Sequence, residues 1–419
     1  MTLRTTCASP GRVDVHDSVG REGIGQDAIV DAAIDIIVRN GFAGLTLRPL
    51  ASSLGVSVAA ISVRMGPKDQ LIDRVVDLAA QRDHGFFARW TALADNVSPG
   101  DAATRAALAD LAFRDWITMG RQQAVFLIEL VHHHALQQTP SATLDRWLGS
   151  AGTFWSTLVF GSPALADLTL GYVLDEAGFA LGAEDEPAYG ALRVLCLQRF
   201  ADGLRPRGGA GGAGGAGGAA IERLIALLEP DELPIATTDD PKRQRIADSA
   251  AQIIVSQGMD AATHRSVALA AGVPASTVVY HFGGRAALVV AGLHAVIARF
   301  HGTRDRARAD KIAPGEDAAA RDLVKATSMI ALASVRELSL RPYALDMRRR
   351  RGENIRAADL ASLGFASRSD AAFDRATAQV VSIALFGMRM VAMSRKLPEY
   401  AYYRSAFAAL DAWNDARAG

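Results

Sequence analysis

Apolar residues along this chain recur at spacings of three and four. Ile29, Ala33, Ile36 and Ile37 form one such stripe, and Leu71, Val75 and Leu78 another. That spacing gathers apolar side chains on one face of a helix. Ala, Leu, Arg, Asp and Gln dominate, which suits helices. Clean alternation of apolar and polar positions, the mark of a half-buried strand, is absent. Pro and Gly signals at 98–100, 140 and 161–163, and again near 314–315, 352, 364 and 398, divide the two halves of the chain into successive helices. The pattern predicts an all-α protein.

The pattern also repeats. Residues 29–71 align without a gap on 246–288, at an offset of 217, with 14 of 43 positions identical. That period is too long for a solenoid and reads as two copies of one unit. Between them lies GGAGGAGGAGGAA at 208–220, a segment without side chains to bury and expected to be flexible. Its formal GxGxxG at Gly209, Gly211 and Gly214 has no strand before it and is a by-product of low complexity. A short helix over 221–228 and an extended stretch punctuated by Pro230, Pro234 and Pro241 follow. The division expected is therefore an N-terminal arm 1–21, a first head 22–75, a first helical body 76–205, a linker 206–238, a second head 239–292 and a second body 293–419.

Each head predicts three helices. The first spans 26–40 or 242–257 and is closed by Gly41 or Gly258, as a left-handed C-terminal cap would be. Thr46 or Thr263 opens the second, as a good N-cap. Gly55-Val56-Ser57 or Gly272-Val273-Pro274 then turns the chain into a short third helix over 57–64 or 274–281. Two short helices joined by such a turn make a helix-turn-helix, whose second helix enters the major groove of DNA.

Both heads resemble the DNA-binding domain of TetR-family transcriptional regulators. The second carries Thr263, Arg265, Ala268, Gly272, Val273, Tyr280, His281, Phe282, Gly283, Arg285 and Leu288 in the family's order. The first keeps the frame (Thr46, Arg48, Ala51, Gly55, Val56, Gly66, Lys68, Leu71) but has Ser62, Val63, Arg64 and Met65 in place of the aromatic end. The bodies resemble the family's ligand-binding domain in length and helical character only. The resemblance implies phosphate contacts from Thr263, His281 and Arg285, base contacts from Ala275, Ser276, Thr277 and Tyr280, either kind from Arg265, and a basic arm of Lys242, Arg243 and Arg245. The first-head counterparts are Thr46, Arg48, Ser57, Ala59, Ala60, Arg64 and Lys68. Residues 22–75 carry five basic and six acidic side chains, against five and four in 239–292. The second head is thus expected to carry most of the specificity.

The resemblance further implies double-stranded DNA as partner, an unidentified small-molecule effector, and action as a ligand-responsive repressor. Trp116, Phe126, Phe154, Trp155 and Tyr172 in the first body, and Met329, Tyr343, Met347, Phe386 and Met390 in the second, are candidates for lining an effector cavity, although each also fits core packing. Dimerisation through the last two helices of each body, roughly 165–203 and 370–415, implies an intra-chain pseudo-dimer; the alternative is pairing between chains.

Other chemistry finds little support. No G-x-S-x-G, H-E-x-x-H or G-x-x-x-x-G-K-[ST] occurs, so no enzyme and no cofactor is expected. His132, His133 and His134 are consecutive, and on a helix they point about 100° apart, so no metal site is expected. Arg348 to Arg351 read as a solvated helix face. Two cysteines, Cys7 and Cys196, make no disulfide framework, and the N-terminus has no signal-peptide pattern. The apolar run Val380 to Met393, broken by Arg389, is short of a membrane span. A cytoplasmic location is expected. The net charge of zero argues against binding nucleic acid by bulk charge and is expected to average weakly charged heads with neutral bodies. A DNA-independent protein–protein adaptor is the competing reading.

Overall fold

The computed structural model describes residues 25–204, 216–230, 240–310, 318–353, 355, 357–363 and 373–417. The N-terminal arm with Cys7, and linker residues 205–215, lie outside them. Among the described residues the chain is all-α, with no strand.

The first head is α1 (Gln26–Asn40), α2 (Leu47–Ser53) and α3 (Val58–Met65). The first body follows as α4 (Lys68–Val97), α5 (Ala102–Thr118), α6 (Arg121–Gln137), α7 (Ala142–Phe160), α8 (Ala166–Ala183) and α9 (Pro187–Ala201). After the linker helix α10 (Ala216–Leu227), the second head is α11 (Pro241–Gln257), α12 (His264–Ala271) and α13 (Ala275–Phe282). The second body is shorter: α14 (Arg285–Asp310), α15 (Ala318–Ala333), α16 (Arg341–Arg349), α17 (Ala357–Ser362), α18 (Arg375–Arg395) and α19 (Glu399–Ala416).

The core does not divide where the sequence does. The second head, α15 and the N-terminal part of α14 share one apolar cluster. The first head, the first body, α10, α18 and α19 share another, so the second body's last helices are packed into the first body's core. The division at 293–419 therefore describes a chain segment, not a body with its own separate core. The linker also differs from expectation. Helix α10 begins at Ala216, inside the Gly/Ala tract, and packs on α9 and α18 with Ile221, Ile225 and Leu228 buried. A stripe spaced three and four residues apart supplies the burial that the glycines lack.

The tightest element pair is α8 against α18. Nearly every residue of α8 from Leu168 to Leu181 is buried, and so is most of α18. A helix apolar all round belongs inside a core. This explains α18, whose 21 residues are long and apolar enough to cross a membrane although 83% of its most apolar window is buried inside the protein. Arg389, which interrupts the apolar run Val380–Met393, is half-buried against Glu399, at 2.9 Å, and Tyr403. The helices cross at Gly171 and Gly387. A Cβ on Gly387 would lie 1.9 Å from the Gly171 carbonyl oxygen, and one on Gly171 would meet Ala384 O at 2.6 Å.

Two sequence readings of charge need correction. The bodies are not neutral: residues 76–205 carry nine basic and fifteen acidic side chains, and 293–419 carry 21 and 14. Nor is Arg348 to Arg351 simply a solvated face. Arg348 is wholly buried and paired with Glu176 at 2.9 Å, and Arg351 pairs with Asp175 at 3.1 Å. Of the four, Arg350 is the exposed one, and helical rotation separates it from Arg348.

The α8–α18 crossing generates a test. Gly387→Val forces backbone apart from backbone and is expected to destabilise by about 3 kcal/mol or more. Gly178→Ala, one to two turns along α8, meets only the Ala331 Cβ at 3.8 Å and is expected to be neutral or mildly stabilising. Urea midpoints of the two variants check the pair.

Candidate nucleic-acid interface

The second head is built by its caps. Asp240 caps α11 by accepting from the Lys242 amide at 2.9 Å, with Pro241 at the first helical position. Thr263 caps α12 in a reciprocal box: its Oγ1 accepts from the Ser266 amide at 3.1 Å, and Ser266 Oγ accepts from the Thr263 amide at 2.9 Å. Gly272 then takes a left-handed φ of 65°, as Gly55 does at 66° in the first head. The turn folds back with the Val273 amide donating to Ala268 O at 3.0 Å. Val267, Ala268, Val278, Phe282 and Leu288 close the inside.

What remains outside is one face of two helices. Arg265 and Leu269 project from α12; Ala275, Ser276, Val279 and Tyr280 project from α13, with Tyr280 and Leu269 each 85% exposed. Thr277 is half-buried. Leu269 and Val279 were missed in the sequence, although they lie four residues after Arg265 and Ala275 on the same helix faces. An exposed leucine and tyrosine on one face offer apolar surface and a hydroxyl, a chemistry that matches thymine methyls and base edges.

Three of the expected contacts stand elsewhere. Lys242, Arg243 and Arg245 are no arm, because Asp240 and Pro241 start α11 ahead of them; Lys242 and Arg245 are exposed on its first turns. Arg243 lies 5.3 Å over the Phe282 ring, its Nε buried without a hydrogen bond. His281 turns inward, its Nδ1 3.5 Å from Asp240 Oδ2, while its ring meets Tyr280 edge-on. The Lys242 amide, together with the nearby His281, holds the Asp240 carboxyl below its ordinary range. Arg285 ties the head to the body: it donates to Met259 O at 3.0 Å and pairs with Asp260 at 3.2 Å and Glu337 at 3.1 Å.

The first head has the same geometry and different chemistry. Val63 occupies the place of Tyr280 and is 86% exposed. Val58, Ala59 and Ala60 are exposed where Ala275, Ser276 and Thr277 stand in the second head. Ser57 caps α3 by accepting from the Ala60 amide at 3.1 Å, while Thr46 caps α2 by backbone position alone. Arg48 and Arg64 are exposed, the Arg64 carbonyl accepting from Arg74. The Lys68 side chain lies outside the described residues. The first head is also held from the second body, by Arg336, which follows α15. It donates to Val38 O at 2.6 Å and Ile37 O at 3.3 Å, at the C-terminal end of α1, and pairs with Glu129 of α6.

Of the candidate effector residues, only Phe154 borders a large opening. It lines, with Phe87, Trp147, His84, Arg146 and Thr153, a groove of about 1120 Å³ between α4 and α7. Trp116, Phe126, Trp155 and Tyr172 are sealed in the core. Met329 is buried, and Tyr343, Met347 and Phe386 are partly buried against the second head's cluster. Met390 borders a cavity of about 20 Å³ with His132 and Ser328, room for one water. The three histidines diverge: His132 is buried, His133 stacks on Phe42 at 4.0 Å, and His134 bonds Thr139 O. Among the described residues no group of three metal-ligating side chains occurs.

Residues 246–291 match the family profile of bacterial regulatory proteins, tetR family. No curated protein matches the chain. The matched stretch runs from the first buried residue of α11 into the start of α14, and so contains the whole second helix-turn-helix. With an all-α fold around it, this domain supports a DNA-binding transcriptional regulator of the tetR type.

Behind Trp147, which lines the groove, lies a titratable group. Asp83 of α4 is buried, accepts from the Trp147 indole at 2.9 Å, and is pushed by burial from 3.8 up to about 7. Between those values the unfolded chain has lost the proton and the folded chain keeps it, so stability falls as pH rises through that window and then levels. Asp83→Asn keeps the acceptor for Trp147 and removes the charge. It is expected to stabilise at pH 8, by at most about 4 kcal/mol, with the gain vanishing towards pH 4. Urea unfolding at pH 4.5, 6 and 8 measures this.

Proposed function

We propose that the protein is a ligand-responsive transcriptional repressor formed by two fused tetR-like units, with the second head supplying most of the sequence specificity. The observation that carries the reading is the contrast between equivalent faces. Arg265, Ser276 and Tyr280 offer hydrogen bonds on the second head. Val58, Ala59, Ala60 and Val63 offer none on the first, where Arg48 and Arg64 are the exposed cations of α2 and α3. In this reading the groove beside Phe154 receives the effector. Helix α4 forms one wall of it and begins directly after the first head, so occupancy biases the head's position. Packing of α8 and α9 against α18 and α19 supports an intra-chain pseudo-dimer that presents two unlike heads to an asymmetric operator.

Tyr280→Ala is expected to weaken binding to the gene's own upstream DNA about tenfold to hundredfold in a gel shift. Arg48→Ala with Arg64→Ala is expected to cost less and to act alike on all sequences. A larger loss from the first-head pair reverses the ranking. Arg285→Ala is expected to lower the melting temperature together with DNA affinity, because its guanidinium joins head to body. Light scattering is expected to give a mass near 44 kDa. The exposed valines of the first head favour a second reading, an adaptor that docks protein there. Absence of any shift, with or without metabolite extract, would support the adaptor.

A further inference from the structure

We infer that the two units recognise each other by a charge code that admits only unlike pairing. This inference rests on the two-unit reading above and adds the chemistry that decides which surfaces pair. Among the described residues, the ion pairs between the units run predominantly one way. The second unit gives arginine and the first gives carboxylate: Arg336 to Glu129, Arg341 to Asp185 at 3.1 Å, Arg348 to Glu176 at 2.9 Å, Arg351 to Asp175 at 3.1 Å, and Arg395 to Asp145 at 3.0 Å. Arg199 to Asp374 is the reverse case. The bodies as wholes carry the same signs, net −6 in residues 76–205 (nine basic, fifteen acidic) and net +7 in 293–419 (21 basic, 14 acidic).

Two of the pairs are sealed from water. Arg348 and Glu176 are each 0% exposed in their side chains, and Arg351 and Asp175 are 5% and 1% exposed. Glu176 also accepts from the Tyr189 hydroxyl at 2.6 Å, Arg348 donates to Gln379 of α18, and Arg351 lies 3.6 Å over the Phe386 ring. Burial pushes Asp175 up and Arg351 down, each partly offset by the other. A buried pair of this kind adds little net stability, but a buried charge left without its partner is strongly unfavourable.

That asymmetry excludes like pairing. α16 lies against α8 across the unit boundary, and α6 lies against α18 in the corresponding way. If two first units paired by these faces, Asp175 and Glu176 would meet α6, whose one arginine, Arg121, is already paired with Glu184 at 3.1 Å. If two second units paired, Arg348 and Arg351 would meet α18, which has no carboxylate in its 21 residues. Either arrangement buries charges without partners, and the unlike arrangement pairs them all.

The test uses the full chain with a protease site placed in the segment 205–215 and different affinity tags at its two ends. After cleavage, the halves are expected to remain together at 1:1, and mixing with an untagged cleaved batch is expected to exchange halves only into unlike pairs. Glu176→Arg alone and Arg348→Glu alone are each expected to loosen the cleaved halves at least a hundredfold, and the double swap to restore at least tenfold of that. Particles made of two first halves or two second halves overturn the inference. So do single reversals that leave the halves' affinity unchanged in variants whose helical circular dichroism is intact. If a reversal fails to fold, the exchange of wild-type halves decides alone. Light scattering of the uncleaved chain separates this from the pseudo-dimer reading: a mass of twice 44 kDa built from unlike pairs ends the intra-chain arrangement and leaves the code standing.

Discussion

The crossing of α8 and α18 is the constraint on which the rest depends. Gly171 and Gly387 bring two backbones into contact, and that approach is closed to any residue with a Cβ. It sets the depth to which α18 sinks into the first body and therefore where α16 lies along α8. Only at that depth do Arg348 and Arg351 reach Glu176 and Asp175. Close packing is the rigid part, and the ion pairs are satisfied or not according to it.

From that centre the geometry propagates to the heads. α6 and α15 both pack on α8 and α18, and each also meets a head: α6 packs on α1, with His133 stacked on Phe42, and α15 packs on α11. Arg336 spans the gap, holding the last carbonyls of α1 from the second unit's side. Guanidinium suits this place because a helix C-terminus offers unpaired carbonyls and negative partial charge. The first head is therefore tied to the second body as well as to its own.

Much of the fold was legible beforehand. Helix α1 begins and ends where its apolar stripe and Gly41 put it, and both turn glycines take the left-handed conformation that their position demands. Thr263 caps α12 as its spacing suggested. The interface was read less well. The resemblance implied an arm of Lys242, Arg243 and Arg245, yet Pro241 is a helix's first residue, where its missing amide costs nothing, and the three stand on that helix. His281 and Arg285 sit at positions that touch phosphate in the resembled family, but here Asp240, Asp260 and Glu337 occupy them. Those carboxylates come from distant points of the chain, and no local pattern announces them.

The sequence by itself determined the helical class, the likeness of residues 29–71 to 246–288, and the difference in chemistry between Tyr280 and Val63, because each is a property of local spacing or of residue type. Only the tertiary structure decided which charges are buried, which cationic side chains of the heads are exposed, and that α10, α18 and α19 belong to the first body's core. Those depend on residues as much as 299 positions apart, as with Arg336 and Ile37. Burial and ion pairing are set by what surrounds a group in three dimensions, and a linear pattern carries only one element's share of that information.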